Sequence, residues 1–421
     1  MRGIRGKKVR MVKEGTLIAT VDIGMTTNTG YCTTIDGRDI KPFTFENSRE
    51  GFEKFWHIIV ASKNRFGCTE VMVGYESTGP YAEPLAQYLM DKPVTMVQVN
   101  PLHTKRLKEV NDNSPRKTDD KDPRVIADVL RLGHALSVVV PEGDAAYLRR
   151  LNNARERHVG ERTALLNQIQ QLVFLIFPEF KKVFNDVTVK TARHILKNYT
   201  TPERIGTLNK DALGEEIRKR SWGKFGVQQA ELLINLARDT VGIKEGVAGI
   251  VLDIRHILMQ LEAANAFIEE IAAEMAKVLE RIPSSTRILS MKGLGVVTVA
   301  GLIGEVGDFS KFRTQSEIMK LAGLDLYEIS SGKRKGQKRI SKRGRSLLRK
   351  ILYSAAVATI RKNGIMCDYY ARLIGRGMVR TSALIVIAKK LLRIIHAMLR
   401  DDRDYIPNYE SPERVVIKKA A

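Results

Sequence analysis

Thr16-Leu-Ile-Ala-Thr-Val-Asp-Ile-Gly24 is a short apolar run, rich in β-branched residues, that carries a single acid, Asp22, near its end. Gly24-Met25-Thr26-Thr27 follows. Runs of this length and composition form central strands. A carboxylate inside such a strand is costly unless it is paired or bound to a cation. The placement of Asp22 therefore raises the question of what the rest of the chain brings to it.

Tyr31–Ile35 and Pro42–Phe45 read as two further strands, with Asp36-Gly37 as the turn between them. Ser48 is positioned to cap a helix through about Lys63, with Phe52, Phe55, Trp56 and Ile59 on one face. Glu70–Glu76 is a second strand that ends in a carboxylate. A helix over Tyr81–Met90, a strand over Val94–Val99 and a helix over Pro101–Val110 come next. After the polar stretch Asn111–Lys117, Thr118 or Asp119 opens a helix with Pro123 in its first turn. Hairpin strands followed by alternating helices and strands predict a mixed α/β domain over residues 16–140, behind a basic arm at 1–15.

The remainder reads as helical. Leu148, Leu151, Leu165, Ile169, Leu172 and Ile176 fall at helical spacing, and Pro178 stops the run. A heptad seam runs through Val251, Ile254, Leu258, Leu261, Asn265, Ile268, Ala272, Met275, Leu279 and Ile282. Only Asn265 breaks it, and a buried Asn at such a site fixes register or oligomer state. Two long helices packed within one chain and a coiled coil that also dimerises both use this seam. The expected division is a helical coiled-coil region at 145–282 with an insert at 181–240, a mostly α-helical C-terminal domain at 283–405 that begins where Pro283 closes the long helix, and a tail at 406–421.

The chain has 421 residues and a formal charge of +23, which predicts a polyanionic partner, nucleic acid foremost. No apolar run reaches the roughly 18 residues of a membrane span, and the basic N-terminus lacks the apolar core of a secretion signal. The scattered Cys32, Cys68 and Cys367 have no metal spacing and fit a reducing cytosol. Positive charge is densest from Ser331 to Lys350, where ten of twenty residues are Lys or Arg and none is acidic. Lys333, Arg334, Lys335, Lys338, Arg339, Lys342, Arg343 and Arg345 are the candidate nucleic-acid contacts of this run. Lys292 joins them from the turn at Gly293-Leu-Gly295, which fits either a phosphate-facing helix–hairpin–helix or a packing corner between two helices.

Four carboxylates carry the chemistry. Asp22 and Glu76 end strands, and Asp119 and Asp122 stand three apart at a helix start, where i and i+3 share a face. Brought together they repel unless divalent cations neutralise them, and hard oxygen ligands suit Mg²⁺ or Mn²⁺. Two such ions about 4 Å apart clamp the attacking and leaving oxygens of a phosphodiester displacement. Blander readings stand beside each residue: Asp119 as a helix cap with Asp120 as its competitor, Glu76 as the partner of a basic neighbour, Asp36 and Asp39 as turn residues.

Val21-Asp22-Ile23-Gly24, Tyr75-Glu76-Ser77-Thr78-Gly79-Pro80-Tyr81, Val99-Asn100-Pro101 and Lys117-Thr118-Asp119-Asp120-Lys121-Asp122 together resemble the N-terminal domain of the DEDD insertion-sequence transposases. These are guided by a bridge RNA, and the Piv-type DNA invertases are their relatives. Gly293-Leu-Gly295, Leu321-Ala-Gly-Leu324, Ser330-Ser331-Gly332 and Ile340-Ser-Lys-Arg-Gly344 are similar to the same family's C-terminal transposase domain. The resemblance implies a RuvC-like N-terminal domain of RNase H fold. It implies Asp22, Glu76, Asp119 and Asp122 as ligands of two Mg²⁺ or Mn²⁺ ions, and Ser331 as a nucleophile that forms a phosphoserine link to DNA. The implied partners are the element ends and target DNA, a structured guide RNA from the same element, and further copies of the chain in a dimer to tetramer. The implied location is cytoplasmic and nucleoid-associated.

Three departures bear on this. Pro123 replaces the usual Ala, which suits a first helical turn; Asp325 precedes the position where Pro is usual; and Ser330 adjoins Ser331, so a one-residue slip exchanges the nucleophile. A Piv-like site-specific invertase and a RuvC-type structure-selective nuclease are the alternative functions. A hydrolase that uses activated water has no need of the serine.

Overall fold

The computed structural model describes residues 12–76, 79–111, 121–134, 136–137, 140–187, 189–328 and 338–407. The chain divides into two compact units, Met1–Val140 and Pro141–Ala421.

The first unit is a six-stranded mixed sheet with helices on both faces. In chain order it comprises β1 (Thr16–Asp22), β2 (Thr27–Thr33), β3 (Phe43–Glu46), α1 (Arg49–Phe66), β4 (Glu70–Glu76), α2 (Ala82–Leu89), β5 (Thr95–Val99), α3 (Pro101–Asn111), α4 (Asp122–Arg131) and β6 (Leu136–Ser137). The strand order is β3-β2-β1-β4-β5-β6; β1, β4 and β5 are mutually parallel, and the other neighbours are antiparallel. Both faces of β1 are covered, which is why Leu17 through Val21 are buried without a break. Leu17, Ala19 and Val21 pack with α1 and α2, and Ile18 packs with α4. Ser48 caps α1 through Gly51 N–H as its position predicts. Val12 is also buried and Lys13 pairs with Glu70 at 3.4 Å, so the four residues before β1 lie against the sheet; residues 1–11 of the basic arm lie outside the described residues.

Strand β2 differs from the sequence reading, which also lacks β6 and, in the second unit, two short strands, Leu326–Glu328 and Lys338–Ile340. β2 begins at Thr27 and ends at Thr33, four residues earlier than the apolar pattern suggests at its start. From Asn28 onward this polar stretch is buried, and the Asn28 amide finds partners: it donates to Asn47 Oδ1 at 2.7 Å and accepts from Gly24 N–H at 3.2 Å. Asp36 and Asp39 are turn residues as expected, bound to Arg38 and to the Tyr31 hydroxyl.

The second unit is built on two 34-residue helices, α5 (Gly143–Ile176) and, after the insert, α11 (Val247–Glu280), each about 50 Å long at 1.5 Å per residue. They run antiparallel. Arg281 after α11 bonds Asp144 in the first turn of α5 at 2.5 Å, and Ile243 N–H before α11 donates to Leu175 O at 3.0 Å. Between them lie α6 (Phe180–Val183), α7 (Lys190–Tyr199), α8 (Pro202–Gly206), α9 (Lys210–Arg220) and α10 (Val227–Arg238). These pack on one end of the pair around Phe177, Phe180, Phe184, Ile195, Ile217 and Leu233. At the other end lie α12 (Pro283–Leu289), α13 (Val296–Val306), α14 (Gln315–Leu321), the ribbon β7 (Leu326–Glu328) and β8 (Lys338–Ile340), α15 (Ser346–Thr359), α16 (Cys367–Gly375) and α17 (Arg380–Arg400). Their core includes Leu148, Met275, Val299, Leu302, Leu352, Ile387 and Leu391.

The buried line on α11 runs Ile254, Ile257, Leu261, Ala264, Ile268, Ile271, Met275 and Val278, with Leu258 and Leu279 beside it. Ala264, not the half-buried Asn265, fills the seam, so no polar residue interrupts it. The heptad count places Asn265 in line because one helix wrapped on two sides buries more than a two-position stripe. Pro283 does more than end the long helix: it occupies the first turn of α12. Among the described residues no helix is long and apolar enough to cross a membrane.

Candidate functional site

In a strand, residues i and i+2 share a face, so Asp22 points to the same side of the sheet as Ile18 and Thr20. That side is covered by α4. Thr20 is fully buried and its hydroxyl donates to Pro123 O at 2.6 Å, which pins the first turn of α4 over β1. Pro123 follows Asp122, so the same contact carries Asp122 to the face that bears Asp22.

Glu76 reaches this face through the parallel register. Ile18 pairs with Met72, Thr20 with Gly74 and Val21 with Tyr75, so the next step brings Asp22 level with Glu76 on neighbouring strands about 4.8 Å apart. Both carboxylates are half-buried. Gly74 permits the approach of α4: a Cβ there would stand 2.4 Å from Leu130 Cδ1.

Helix α3 supplies two contacts that the sequence reading leaves without a role. Thr104, buried, donates to Glu76 Oε2 at 2.7 Å, and Lys108 Nζ lies 2.6 Å from Asp122 Oδ1. The two side chains are four residues apart and share a helix face. Their i, i+4 spacing aims one turn of α3 at the strand ends, a placement that only the β4 register and the landing of α4 disclose. Thr104 orients one carboxylate, and Lys108 neutralises the other.

Asp119 lies outside the described residues. Among the described residues no three His, Cys, Asp or Glu side chains stand close enough together to hold an ion. The fold thus brings Asp22 and Glu76 side by side and Asp122 to the same face, where it is bound to Lys108. Cys32, in the neighbouring β2, is buried, and burial pushes its thiol up to about 12, so it stays protonated at neutral pH.

In the second unit, β7 and β8 pair antiparallel, Leu326 with Ile340, Tyr327 with Arg339 and Glu328 with Lys338. The connection, residues 329–337, holds Ser330, Ser331, Lys333, Arg334 and Lys335 and lies outside the described residues; for Lys338 only the backbone is described. Arg339, Lys342 and Arg343 are exposed, as is Lys292. Arg345 is turned inward: its guanidinium donates to Glu305 O and lies 3.9 Å from Glu305 Oε2, and Glu305 is 3% exposed. Gly293 takes φ 102° and packs on Ala358 and Thr359 of α15, and Leu294 is buried, so the Gly-Leu-Gly turn serves as a packing corner.

A family model described as Transposase, the DEDD type of the IS110 elements, matches residues 19–178. A second, described as Transposase IS116/IS110/IS902 family, matches residues 285–371. The chain is 28% identical over 295 residues to an insertion element IS116 protein of Streptomyces clavuligerus, covering 69% of this chain and 73% of that one. It is 25% identical over 389 residues to an insertion element IS110 protein of Streptomyces coelicolor, covering 91% and 94%. It is 29% identical over 180 residues to the transposase for insertion sequence element IS1111A of Coxiella burnetii, covering 42% and 48%.

Proposed function

Because the chain belongs to the IS110/IS116 family of insertion-sequence transposases, we propose that it cuts and rejoins the DNA of a mobile element with a carboxylate-held divalent cation and a serine nucleophile. The observation that carries the reading is the β1–β4 register, which sets Asp22 beside Glu76 under the first turn of α4. The strand order β3-β2-β1-β4-β5, with β2 antiparallel to β1, supports a RuvC-like domain of RNase H fold over residues 16–140. Residues 283–405 are then the transposase domain that carries Ser331 between β7 and β8.

The donor set fits a hard cation. Asp22, Glu76 and Asp122 offer only carboxylate oxygens, and Asp119 is the fourth of the set. Two Mg²⁺ or Mn²⁺ ions would offset phosphate charge and lower the pKa of a coordinated hydroxyl. The chain's own contribution is orientation and charge. Thr104 fixes the Glu76 carboxylate, and Lys108 holds Asp122 and offsets its charge. At Ser331 the Oγ–phosphorus bond forms as the phosphorus–O3′ bond breaks. The serine proton passes to a base, and the 3′-oxygen takes up a proton on leaving. Rejoining reverses these steps, so the link stores the bond energy without ATP. The element ends and target DNA, a guide RNA and further copies of the chain, up to a tetramer, are the partners of this reading, and the nucleoid is its location.

The test is a search for a covalent adduct. Full-length protein is incubated with Mg²⁺, its co-purifying RNA and junction DNA, then denatured and mapped by mass spectrometry. The expected adduct lies on Ser331 and disappears in Ser331→Ala, Asp22→Ala and Glu76→Ala, while nucleic-acid binding by these variants is retained. An adduct on Ser330 moves the nucleophile by one residue. Cleavage with no adduct overturns the serine chemistry in favour of the RuvC-type nuclease, and cleavage that survives Asp22→Ala overturns the metal assignment. A Piv-like invertase shares this chemistry and differs in whether the product is an inverted or a transposed segment.

A further inference from the structure

The β7–β8 ribbon, α15 and α17 border a groove of about 1360 Å³. Among its described lining residues seven are Lys or Arg and none is Asp or Glu. The cations converge from three sides: Arg339 and Lys342 from the ribbon and the turn after it, Arg349 and Lys350 from α15, Lys389 and Arg393 from α17. Two are partly committed, since Lys350 pairs with Glu156 and Arg349 donates to Ala322 O at 2.9 Å. A further cation is held in place by a ring: Lys390 Nζ lies 4.2 Å from the centroid of Tyr369. On α17 the opposite face, Ile387, Leu391, Leu392 and Ile395, is spent on the core, so the basic face is free to meet a ligand.

Charge alone describes a phosphate track. The tyrosines narrow the ligand. Tyr353 follows Lys350 by three residues on α15, so the ring and the ammonium share a helix face, and it is 37% exposed. Tyr327, paired with Arg339 across the ribbon, is 44% exposed. Exposed rings set among cations are stacking platforms for bases, and a base offers its face only where it is unpaired. A duplex keeps its base faces stacked and presents phosphates instead.

We propose that this groove binds an unpaired stretch of nucleic acid, with phosphates on Arg339, Lys342, Lys389 and Arg393 and a base stacked on Tyr353. The inference rests on the reading that the chain acts on nucleic acid. DNA and RNA share the recognised chemistry.

The test measures fluorescence anisotropy of short mixed-sequence single-stranded DNA, single-stranded RNA and duplex DNA with the full-length protein over a range of salt. Tyr353→Ala is expected to weaken single-strand binding about tenfold, the loss of one stacked base, with duplex binding unchanged. Tyr353→Phe keeps the ring and is expected to bind as the wild type does. Lys389→Ala with Arg393→Ala is expected to weaken single-strand binding and flatten its salt dependence. The tighter of the two single strands names the source. Thermal melting of each variant separates lost binding from lost folding. Single-strand binding that is indifferent to all three variants overturns the groove and leaves the proposed function standing. Equal losses for single strand and duplex in Tyr353→Ala overturn the stacking assignment. A wild-type protein that binds none of the probes overturns the nucleic-acid reading itself.

Discussion

Lys108 Nζ stands 2.6 Å from Asp122 Oδ1, so the carboxylate proposed above as a cation ligand has a lysine as its partner. The Asp122 side chain is 16% exposed and that of Lys108 39%, a partly screened pair that stabilises by about 1 kcal/mol or less. Lys108→Met is expected to lower the melting temperature slightly without divalent cation, because the Asp122 carboxylate then loses the ammonium paired with it. It is expected to tighten Mn²⁺ binding, because the competing ammonium is gone. Calorimetric titration with Mn²⁺ reads the second effect directly, and weaker Mn²⁺ binding by the variant would show that Lys108 supports the site instead of competing for it.

Gly74 sets the distance between the sheet and α4. A Cβ there would meet Leu130 Cδ1 at 2.4 Å and Val97 Cγ2 at 3.4 Å, and Leu130 is fully buried, so it has little room to turn away. Gly74→Val is expected to cost about 1–3 kcal/mol, as overpacking of a filled core does, and to lift α4 with Asp122 off the strand ends. Urea unfolding of Gly74→Val and Gly74→Ala gives the cost, with Ala the milder of the two. Wild-type stability in both would mean that α4 sits less closely than its contact with β1 indicates.

How far the sequence discloses this site depends on whether a residue's role is local. Asp22 and Glu76 stand out because each is one charge at the end of an apolar run, and a buried strand tolerates no charge without a reason. Pro123 marks the helix start because its ring suits a first turn. Thr104 and Lys108 carry no such mark, since a threonine and a lysine on a short helix acquire a role only when the register of β4 and the landing of α4 are known. β2 is legible only at its apolar end, because Asn28 and Thr29 are buried by hydrogen bonding and pairing instead of by hydrophobicity. Arg345 reads as one more cation in a basic run until Glu305, forty residues away in sequence, is seen beneath it.

The insert has its own titrating contact. Glu216 on α9 accepts from the Tyr199 hydroxyl at 2.8 Å and pairs with His194, both on α7. Burial pushes the Glu216 carboxyl up, but the hydrogen bonds from His194 and Tyr199 outweigh it and hold the carboxyl below its ordinary value. A depressed folded-state pKa contributes stability above the unfolded value, and the contribution is lost as pH falls through the folded one. Glu216→Gln is therefore expected to be less stable than wild type near neutrality and to lose less on acidification below about pH 4.3, the ordinary Glu value. Hydrogen exchange of α7 and α9 peptides against pH checks this, and parallel acid dependence in the two proteins would remove Glu216 from the account.

Arg345 and Arg343 allow a structural role and the proposed nucleic-acid contact to be tested apart within one basic run. Glu305 is 3% exposed and Arg345 is the cation beside it, so Arg345→Ala leaves a buried carboxylate without compensation, a change that costs about 3 kcal/mol. Arg343 is exposed, and Arg343→Ala is expected to stay within about 0.5 kcal/mol of wild type. The order reverses in binding. Arg343→Ala is expected to reduce the slope of log affinity against log salt by about 0.7–0.9, the release of one counterion, while folded Arg345→Ala keeps the wild-type slope. Arg345→Lys is expected to restore part of the stability, because one guanidinium nitrogen makes both contacts with Glu305 and an ammonium keeps the charge beside its carboxylate. Urea midpoints with salt-dependent anisotropy on the three variants decide the matter. A stable Arg345→Ala with a flattened salt slope would return Arg345 to the nucleic-acid surface and leave Glu305 to find its compensation elsewhere.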